Sequence, residues 1–214
     1  MSSKAASSRL NSLLEQAGIE PLDSAATAKF EVYLSLILRW NAHLNLTSLR
    51  TEDAIIFIHL TESIACARAI PHEVKTLIDF GSGAGLPGIP IALCRPEIAV
   101  TLAESQTKKA AFLQEAVRTL GIAARIYSGR AETLSSVFDC VALRAVDKMP
   151  QAVRAAARLV ASAGWLALMT TNAGLAKLQV AAGSEFSWPR AVPLPGSADR
   201  IVAFGQRLQA KQIT

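Results

Sequence analysis

The sequence has 214 residues, of which 51% are hydrophobic and 18% are charged, and its formal net charge is +5. This length fits one domain with a modest extension, and the uninterrupted apolar stretches are too short to cross a bilayer, which excludes a membrane-spanning protein. Because the first residues lack the continuous apolar region of a secretory signal, we expect a cytoplasmic protein, and we also expect a monomer. The positive charge suits a polyanionic partner without requiring one.

Cysteine and histidine are too sparse for a disulfide framework or a metal site. Cys66, Cys94 and Cys140 are widely spaced, form no CxxC pair and lie among apolar neighbours. The three histidines share no short metal-ligand spacing. We therefore predict reduced, buried thiols and no metal.

The first part of the chain has the pattern of amphipathic helices. Apolar residues recur at helical spacing in residues 10–17, 23–44 and 51–70. After the third helix, short apolar or β-branched runs alternate with helix-length segments, which is typical of βαβ units around a parallel sheet. We therefore predict a helical extension over residues 1–70 and an α/β domain over residues 71–214.

Strands and helices alternate through the α/β part. The predicted strands cover residues 76–80, 100–103, 124–127, 138–143 and 165–169, and the predicted helices cover residues 87–94, 106–120 and 149–161. Gly121 and Gly164 are expected to end the last two helices. Residues 186–194 and 200–206 are separated by a turn and no helix, which predicts an antiparallel hairpin at the sheet edge.

The stretch LIDFGSGAGLPGIP, residues 77–90, places glycines between a predicted strand and a predicted helix. Where the Cβ is missing, backbone amides can approach a ligand closely. Gly81, Gly83 and Gly85 have GxGxG spacing, whereas a dinucleotide fingerprint is GxGxxG, with its third glycine where Leu86 stands. No Lys-Ser/Thr pair follows, as it would in a Walker A loop. The pattern therefore disfavours a dinucleotide and a nucleoside triphosphate.

Two carboxylates accompany this loop. Glu104 follows the next predicted strand, about 20 residues later, where a carboxylate can accept hydrogen bonds from both hydroxyls of a ribose. Asp79 precedes the loop and can add negative charge near the ammonium or sulfonium group of S-adenosylmethionine, an adenosine cofactor without phosphate. A helix cap or a surface carboxylate is the alternative role for each.

Five stretches, read in order, resemble one family. Besides the glycine loop they are WNAHLNLTSLR at 40–50, HLTES at 59–63, GRAE at 129–132 and FDCVALRAV at 138–146. Together they resemble the ribosomal RNA small subunit methyltransferase G family, also called glucose-inhibited division protein B. The resemblance implies a Rossmann-like class I S-adenosylmethionine-dependent methyltransferase, with a seven-stranded, mostly parallel sheet that ends in the hairpin. It also implies methyl transfer to N7 of a guanine in small-subunit ribosomal RNA, free or in the small ribosomal subunit, with S-adenosylhomocysteine as product.

The resemblance carries over particular residues. The family's cofactor positions correspond to the loop residues Gly81 and Leu86, the ribose-side Glu104, the adenine-side pair Ala131 and Glu132, and Arg144 after the fourth strand. Without the resemblance, Ala131 and Glu132 are equally a core residue and a helix start. The sequence departs from the family at residues 170–172, Thr-Thr-Asn, where a lysine is usual, and at Glu62, where an aspartate is more usual.

Methylation of guanine N7 determines which catalytic groups to seek. N7 carries an exposed lone pair, so the reaction needs positioning groups and no strong general base. Arg144 is the first candidate, because an arginine can contact O6, a phosphate or the cofactor. Asn45 is the second, with Thr47 and His59 behind it, although Asn45 could instead end a helix and Thr47 cap the next turn.

A basic stretch between residues 105 and 130 contains a single acid, Glu115. The predicted phosphate contacts in it are Lys108, Lys109, Arg125 and Arg130. A solvated helix face is the alternative interpretation of these charges.

Three other functions compete with this interpretation. A methyltransferase of a small molecule or a protein would use the same donor. A nicotinamide-dependent oxidoreductase would use a similar loop, although the GxGxG spacing and the terminal hairpin disfavour it. A non-catalytic RNA-binding module would be consistent with the absent lysine.

Overall fold

Helices form the first part of the structure, a computed structural model that describes residues 3–49 and 51–209. They are α1 (Ser3–Gln16), α2 (Ser24–Leu44), α3 (Glu52–Ala54), a π-helical turn (Ile55–Leu60) and α4 (Thr61–Ala69). The Asp23 side chain accepts a hydrogen bond from the Ala26 amide at 2.7 Å and so caps the start of α2. The helix predicted over residues 51–70 is therefore three consecutive pieces with a widened turn in the middle.

The sheet of the described chain has seven strands. They are β1 (Thr76–Phe80), β2 (Ala99–Ala103), β3 (Arg125–Tyr127), β4 (Phe138–Arg144), β5 (Val160–Thr171), β6 (Phe186–Pro193) and β7 (Arg200–Arg207). Their order is β3-β2-β1-β4-β5-β7-β6, with β1 to β5 parallel and β7 antiparallel to both β5 and β6. The predicted fold class and the terminal hairpin are confirmed.

Four more helices connect these strands in the described part: α5 (Gly88–Cys94), α6 (Thr107–Leu120), α7 (Met149–Ala157) and α8 (Asn172–Ala182). Gly121 ends α6 in a left-handed conformation with φ of 59°, as predicted. Helix α8 was not predicted from the sequence, and it begins where the Thr171 hydroxyl accepts a hydrogen bond from the Gly174 amide at 3.0 Å.

The helix predicted over residues 149–161 is wrong at its end. The last turn becomes strand because Val160 pairs with Phe138 of β4, and strand pairing outweighs the helix propensity of the alanine-rich segment. Gly164, which was expected to end that helix, instead lies inside β5. A Cβ at Gly164 would meet the carbonyl oxygen of Asp139 at 2.9 Å, so close strand approach explains the glycine.

Two apolar cores lie on opposite faces of the sheet. The larger one packs the N-terminal helices, α5 and α6 against one face and contains Phe30, Tyr33 and Phe112. The other lies under α7 and α8 and includes Val153 and Leu168. The N-terminal helices thus share a core with the sheet, and a domain boundary at residue 70 stays a prediction.

Two further expectations concern thiols and the membrane. The three cysteines are free, with Cys66 and Cys140 buried and Cys94 half-buried. Burial raises the pKa of Cys66 to about 12, so its thiol stays protonated. Within the described ranges, no helix combines the length and apolar character that crossing a bilayer requires.

Candidate active site

A cavity of about 670 Å³ lies at the carboxyl ends of the parallel strands, as expected for an open α/β sheet. Eleven of the residues proposed from the sequence line it: Thr47, His59, Gly81, Gly83, Leu86, Glu104, Lys109, Arg130, Ala131, Glu132 and Arg144. Five others lie outside its lining: Asn45, Asp79, Gly85, Lys108 and Arg125. The sequence therefore predicted much of the cavity lining, and the structure shows which proposed residues line the cavity and which lie outside it.

The glycine loop uses its glycines in two different ways. Gly83 has a φ of +56°, and a Cβ placed on it would meet only the Gly81 carbonyl oxygen, at 3.9 Å. Gly83 therefore leaves open space beside the cavity, where a ligand can approach the backbone. Gly85 has a φ of +83°, and its Cβ would collide with Ile89 Cδ1 at 2.5 Å. Gly85 therefore serves the packing of the loop on α5.

Glu104 is tied to the glycine loop at the carboxyl end of β2. Its Oε2 accepts a hydrogen bond from the Gly83 amide at 2.9 Å, and its Oε1 accepts one from the Gln106 amide at 2.7 Å. The residue is only 6% exposed, yet it lines the cavity. Each carboxylate oxygen keeps a further lone pair, so the fixed carboxylate can still accept from a pair of ribose hydroxyls.

Asp79 lies behind the loop and not on the cavity wall. The residue is 1% exposed, and its Oδ2 accepts a hydrogen bond from the Gly88 amide at 3.1 Å. Burial raises the pKa of Asp79 to about 7, against the lowering effect of that hydrogen bond. From this position Asp79 supports the glycine loop and the start of α5. A contact with the cofactor stays a prediction.

The turn after β3 forms another wall of the cavity. Ala131 begins a short 3₁₀ turn (Ala131–Thr133) and is 5% exposed. Arg130 Nε donates to Glu132 Oε1 at 2.8 Å, and both residues line the cavity. The turn follows β3 and Glu104 follows the neighbouring strand β2, so the two border the same cavity.

Arg144 is held by the π-helical turn and α4. Its Nη1 donates to the His59 carbonyl oxygen at 3.3 Å and to Ser63 Oγ at 3.2 Å. Its Nη2 lies 2.8 Å from His59 Nδ1 and 2.9 Å from Glu62 Oε2. The four N–H groups of the two terminal nitrogens therefore each have a protein partner. Glu62 is 1% exposed and also forms an ion pair with Arg200.

His59 links Arg144 to Thr47. His59 Nε2 lies 2.6 Å from Thr47 Oγ1, and its other ring nitrogen faces Arg144. Burial first, and then the charges of Arg144 and Arg200, lower the pKa of His59 to about 3, so the imidazole is neutral at physiological pH. Thr47, His59, Glu62, Arg144 and Arg200 together form what we call the Arg144 network.

Known sequences show the family of the chain. A family model described as rRNA small subunit methyltransferase G matches residues 26–185. The chain belongs to the rRNA small subunit methyltransferase G family. A ribosomal RNA small subunit methyltransferase G of Neisseria meningitidis is 42% identical over 154 residues, covering 69% of this chain and 73% of the relative. One of Xanthomonas oryzae is 39% identical over 153 residues, covering 70% and 71%.

Solved structures agree on the fold of this methyltransferase family member. A predicted O-methyltransferase from Agrobacterium tumefaciens superposes with a TM-score of 0.59 at 19% identity, covering 68% of this chain and 80% of that one. The mitomycin 7-O-methyltransferase gives a TM-score of 0.57 at 19% identity, covering 87% and 74%. At such low identity these structures show a shared methyltransferase fold and nothing about the acceptor.

The predicted RNA contacts of this family member separate into two groups. Lys109 and Arg130 line the cavity, and Lys108 is exposed beside Lys109 in the first turn of α6. Arg125 is exposed at the start of β3, which is the strand end away from the cavity. Residues 170–172, where the family's lysine is absent, do not line the cavity either.

Sequence reasoning missed the residues that fix the cavity from the helical side. Asn41 accepts a hydrogen bond from the Thr47 amide and donates to the Leu49 carbonyl oxygen, each at 2.9 Å, which holds the loop after α2. The Tyr33 hydroxyl donates to the Ala84 carbonyl oxygen of the glycine loop at 2.5 Å. Asn45, for which the sequence also allowed a role as helix end, ends α2 in a left-handed conformation with φ of 47°. The Tyr33 contact joins residues 51 positions apart, and no local sequence pattern predicts it.

The described residues show no obvious metal centre. Across residues 3–49 and 51–209, no group of three or more histidine, cysteine or acidic side chains could hold a metal ion. A metal-free reaction stays a prediction.

Proposed function

We propose that this protein transfers a methyl group from S-adenosylmethionine to N7 of a guanine in small-subunit ribosomal RNA. The observation that carries the proposal is the composition of the cavity. Its β1, β2 and β3 side presents Gly83, Glu104 and Ala131, while its β4 side presents Arg144 and His59. Neighbouring strands are about 4.8 Å apart, so the ends of β2 and β4 are separated by about 10 Å. This space accommodates a cofactor and an acceptor base side by side.

The residues on the first side fit the cofactor. Glu104 would accept from the ribose hydroxyls, the backbone at Gly83 would approach the methionine part, and the turn beginning at Ala131 would border the adenine. S-adenosylmethionine would supply a methyl group on a positively charged sulfur. Asp79, beneath the loop, would contribute indirectly by holding the Gly88 amide.

The residues on the second side fit an acceptor that needs orientation more than activation. Guanine N7 has its own lone pair, and no base has to remove a proton before it attacks. His59, with its pKa lowered to about 3, is a neutral imidazole near neutral pH and does not act as a cationic acid. The Arg144 network therefore acts by position, and a cavity closed around N7 would exclude water.

Transfer of labelled methyl groups to small ribosomal subunits that lack the modification tests the proposal. Borohydride followed by aniline would then cleave the RNA at 7-methylguanosine. We expect label together with one new cleavage. Label without cleavage would reject guanine N7 and leave a methyltransferase of another atom. Absence of label with intact cofactor binding would favour a different acceptor, or a non-catalytic RNA-binding module.

One observation keeps the RNA-binding module as a second candidate. Residues 170–172 lack the family's lysine, and the Thr171 hydroxyl is used as the cap of α8. Because the segment does not line the cavity, we expect its change to affect RNA affinity more than methyl transfer. A ribosomal substrate would also place the protein in the cytoplasm, and we expect it to act as a monomer.

A further inference from the structure

The hydroxyl group of Thr47 is constrained by a chain of hydrogen bonds that begins at Arg144. A guanidinium nitrogen can only donate, so His59 Nδ1, 2.8 Å from Arg144 Nη2, must accept. A neutral imidazole carries one proton, which therefore lies on Nε2. Nε2 in turn donates to Thr47 Oγ1 at 2.6 Å. The charge of Arg144 thus determines the tautomer of His59.

A second donor occupies the other side of the Thr47 oxygen. The Leu49 amide donates to Thr47 Oγ1 at 3.2 Å. A hydroxyl oxygen has two lone pairs and one proton, and these two hydrogen bonds use both lone pairs. Thr47 lines the cavity. Its two described partners both donate to Oγ1, so the hydroxyl proton is not used in either hydrogen bond. The side chain can therefore donate into the cavity and cannot accept from it.

A group that only donates distinguishes the two purines. Adenine and guanine both present N7 with a lone pair, so N7 itself gives no selectivity. Beside N7, guanine carries O6, an acceptor, whereas adenine carries an N6 amino group, a donor. An unconstrained hydroxyl would adapt to either base. A hydroxyl whose lone pairs are both occupied can donate to O6 of guanine. With adenine, the same hydroxyl would face the N6 amino group, and two donors would oppose each other.

We propose that Thr47 is a specificity-determining residue that donates its hydroxyl hydrogen bond to O6 of the target guanine, with His59 as the positioning residue that makes it a donor only. This inference rests on the proposed function, since it assumes a purine methylated at N7. Arg144 ends β4, about 10 Å from the end of β2, where Glu104 would hold the ribose, and His59 and Thr47 are linked to Arg144 by hydrogen bonds. The acceptor base is therefore the nearer ligand.

The test compares Thr47→Val, which keeps the shape and removes the hydroxyl, with Thr47→Ser, which keeps the hydroxyl. Thr51→Val is the matched control, because Thr51 is exposed and caps the short helix α3 outside the cavity lining. Each full-length variant is assayed on unmodified small subunits by label transfer and by cleavage at 7-methylguanosine. Affinity for S-adenosylmethionine is measured by calorimetry on the same preparations.

We expect Thr47→Val to lower kcat/KM for the subunits by about tenfold, the effect of one lost hydrogen bond to a buried acceptor. Affinity for S-adenosylmethionine should stay unchanged. Thr47→Ser, which keeps the hydroxyl, should retain more of the kcat/KM than Thr47→Val, and Thr51→Val should match the original protein. On subunits rebuilt with adenosine at the cleavage position, Thr47→Val should also narrow the preference for guanine over adenine. A merely structural threonine would not change that preference.

Each other outcome is decisive. Thr47→Val with normal kcat/KM and an unchanged base preference overturns the inference alone, provided that the original protein gives its cleavage. A parallel loss of cofactor affinity in Thr47→Val also overturns it, because the hydroxyl would then serve the cofactor. Absence of cleavage with the original protein overturns the proposed function, and the inference with it.

Discussion

The two sides of the cavity use different kinds of hydrogen-bond partners. On the cofactor side, the Glu104 carboxylate meets the backbone amide of Gly83, 21 positions away in sequence. On the acceptor side, Arg144 meets His59 and Glu62, which are 85 and 82 positions away. Backbone amides are available to any side chain that ends beside them. A buried arginine, by contrast, requires every one of its partners to be present.

This difference predicts how each side responds to change. Loss of Glu104 on the cofactor side removes hydrogen bonds to a ligand and to the two amides that it holds, so we expect a local effect on the loop and a small effect on stability. Loss of a group from the Arg144 network leaves buried polar partners unsatisfied, so stability and acceptor positioning fall together. Four experiments can contradict or refine this comparison.

The largest effect is expected for Arg144→Ala. The Glu62 carboxylate would lose one of its two cations in a buried site, and His59 would lose the donor that fixes its tautomer. We expect methyl transfer to fall by about 100-fold because the acceptor is misplaced. We also expect the free energy of unfolding to fall by about 3 kcal/mol. Label transfer and denaturant unfolding measure the two effects.

A double variant separates these effects. Arg144→Met combined with Glu62→Met removes the buried pair together and should recover part of the stability without recovering methyl transfer, since Arg200 still loses its carboxylate. Normal methylation by Arg144→Ala would contradict a positioning role for the arginine.

Glu104→Ala should act on the cofactor alone. The carboxylate is expected to accept charge-assisted hydrogen bonds from the ribose, and their loss should weaken binding of S-adenosylmethionine by about 10- to 100-fold. Affinity for the ribosomal subunit should not change. Calorimetry with the cofactor and filter binding with subunits measure the two affinities. If Glu104→Ala weakened subunit binding and left cofactor affinity unchanged, Glu104 would belong to the acceptor side of the cavity and not to the cofactor side.

Two buried titratable groups, one on each side, should give stability opposite dependence on pH. His59 has a pKa of about 3 in the folded protein against 6.5, so its contribution is full above pH 6.5 and is lost as pH falls towards 3. Asp79 has a pKa of about 7 against 3.8, so its contribution is full below pH 3.8 and is lost as pH rises towards 7. Between pH 4 and 6 the two contributions oppose each other.

Single variants should expose this opposition. In the shared range, each group changes the free energy of unfolding by about 1.4 kcal/mol per pH unit. Relative to the original protein, stability of Asp79→Asn should rise more steeply with pH, and stability of His59→Gln should rise less steeply. Urea unfolding at half-unit pH steps measures both slopes. Parallel slopes in all three proteins would mean that neither group is buried in the folded state as described.

The smallest effect concerns salt. Lys109→Gln combined with Arg130→Gln removes two cations from the cavity rim, and the salt slope of subunit binding should fall by about one for each lost phosphate contact. Arg125→Gln is the control, because it lies at the other end of its strand. An unchanged salt slope in the double variant would mean that Lys109 and Arg130 are solvated surface charges that do not contact phosphates. A change in Arg125→Gln would extend the RNA contact to that edge.

Local sequence patterns predicted much of the fold and the cofactor side of the cavity. The glycine loop, Glu104 and the hairpin could be predicted because each depends on residues adjacent in sequence or on the spacing of one βα unit. The end of α7 could not, since Val160 takes strand structure only through its pairing with Phe138. The same holds for Asn41, whose side chain holds the Thr47 loop by contacts that no helical periodicity indicates.

The sequence by itself determined the alternation of strands and helices, the bare backbone of the loop at Gly83, and membership in a methyltransferase family. Hydrophobic periodicity and backbone conformation are local, so the residues that specify them are neighbours. Only the tertiary structure decided that Arg144 holds His59 and Glu62, because that choice required two distant segments to meet in a buried site. A buried donor without an acceptor costs free energy, and the partners of His59 therefore set its tautomer.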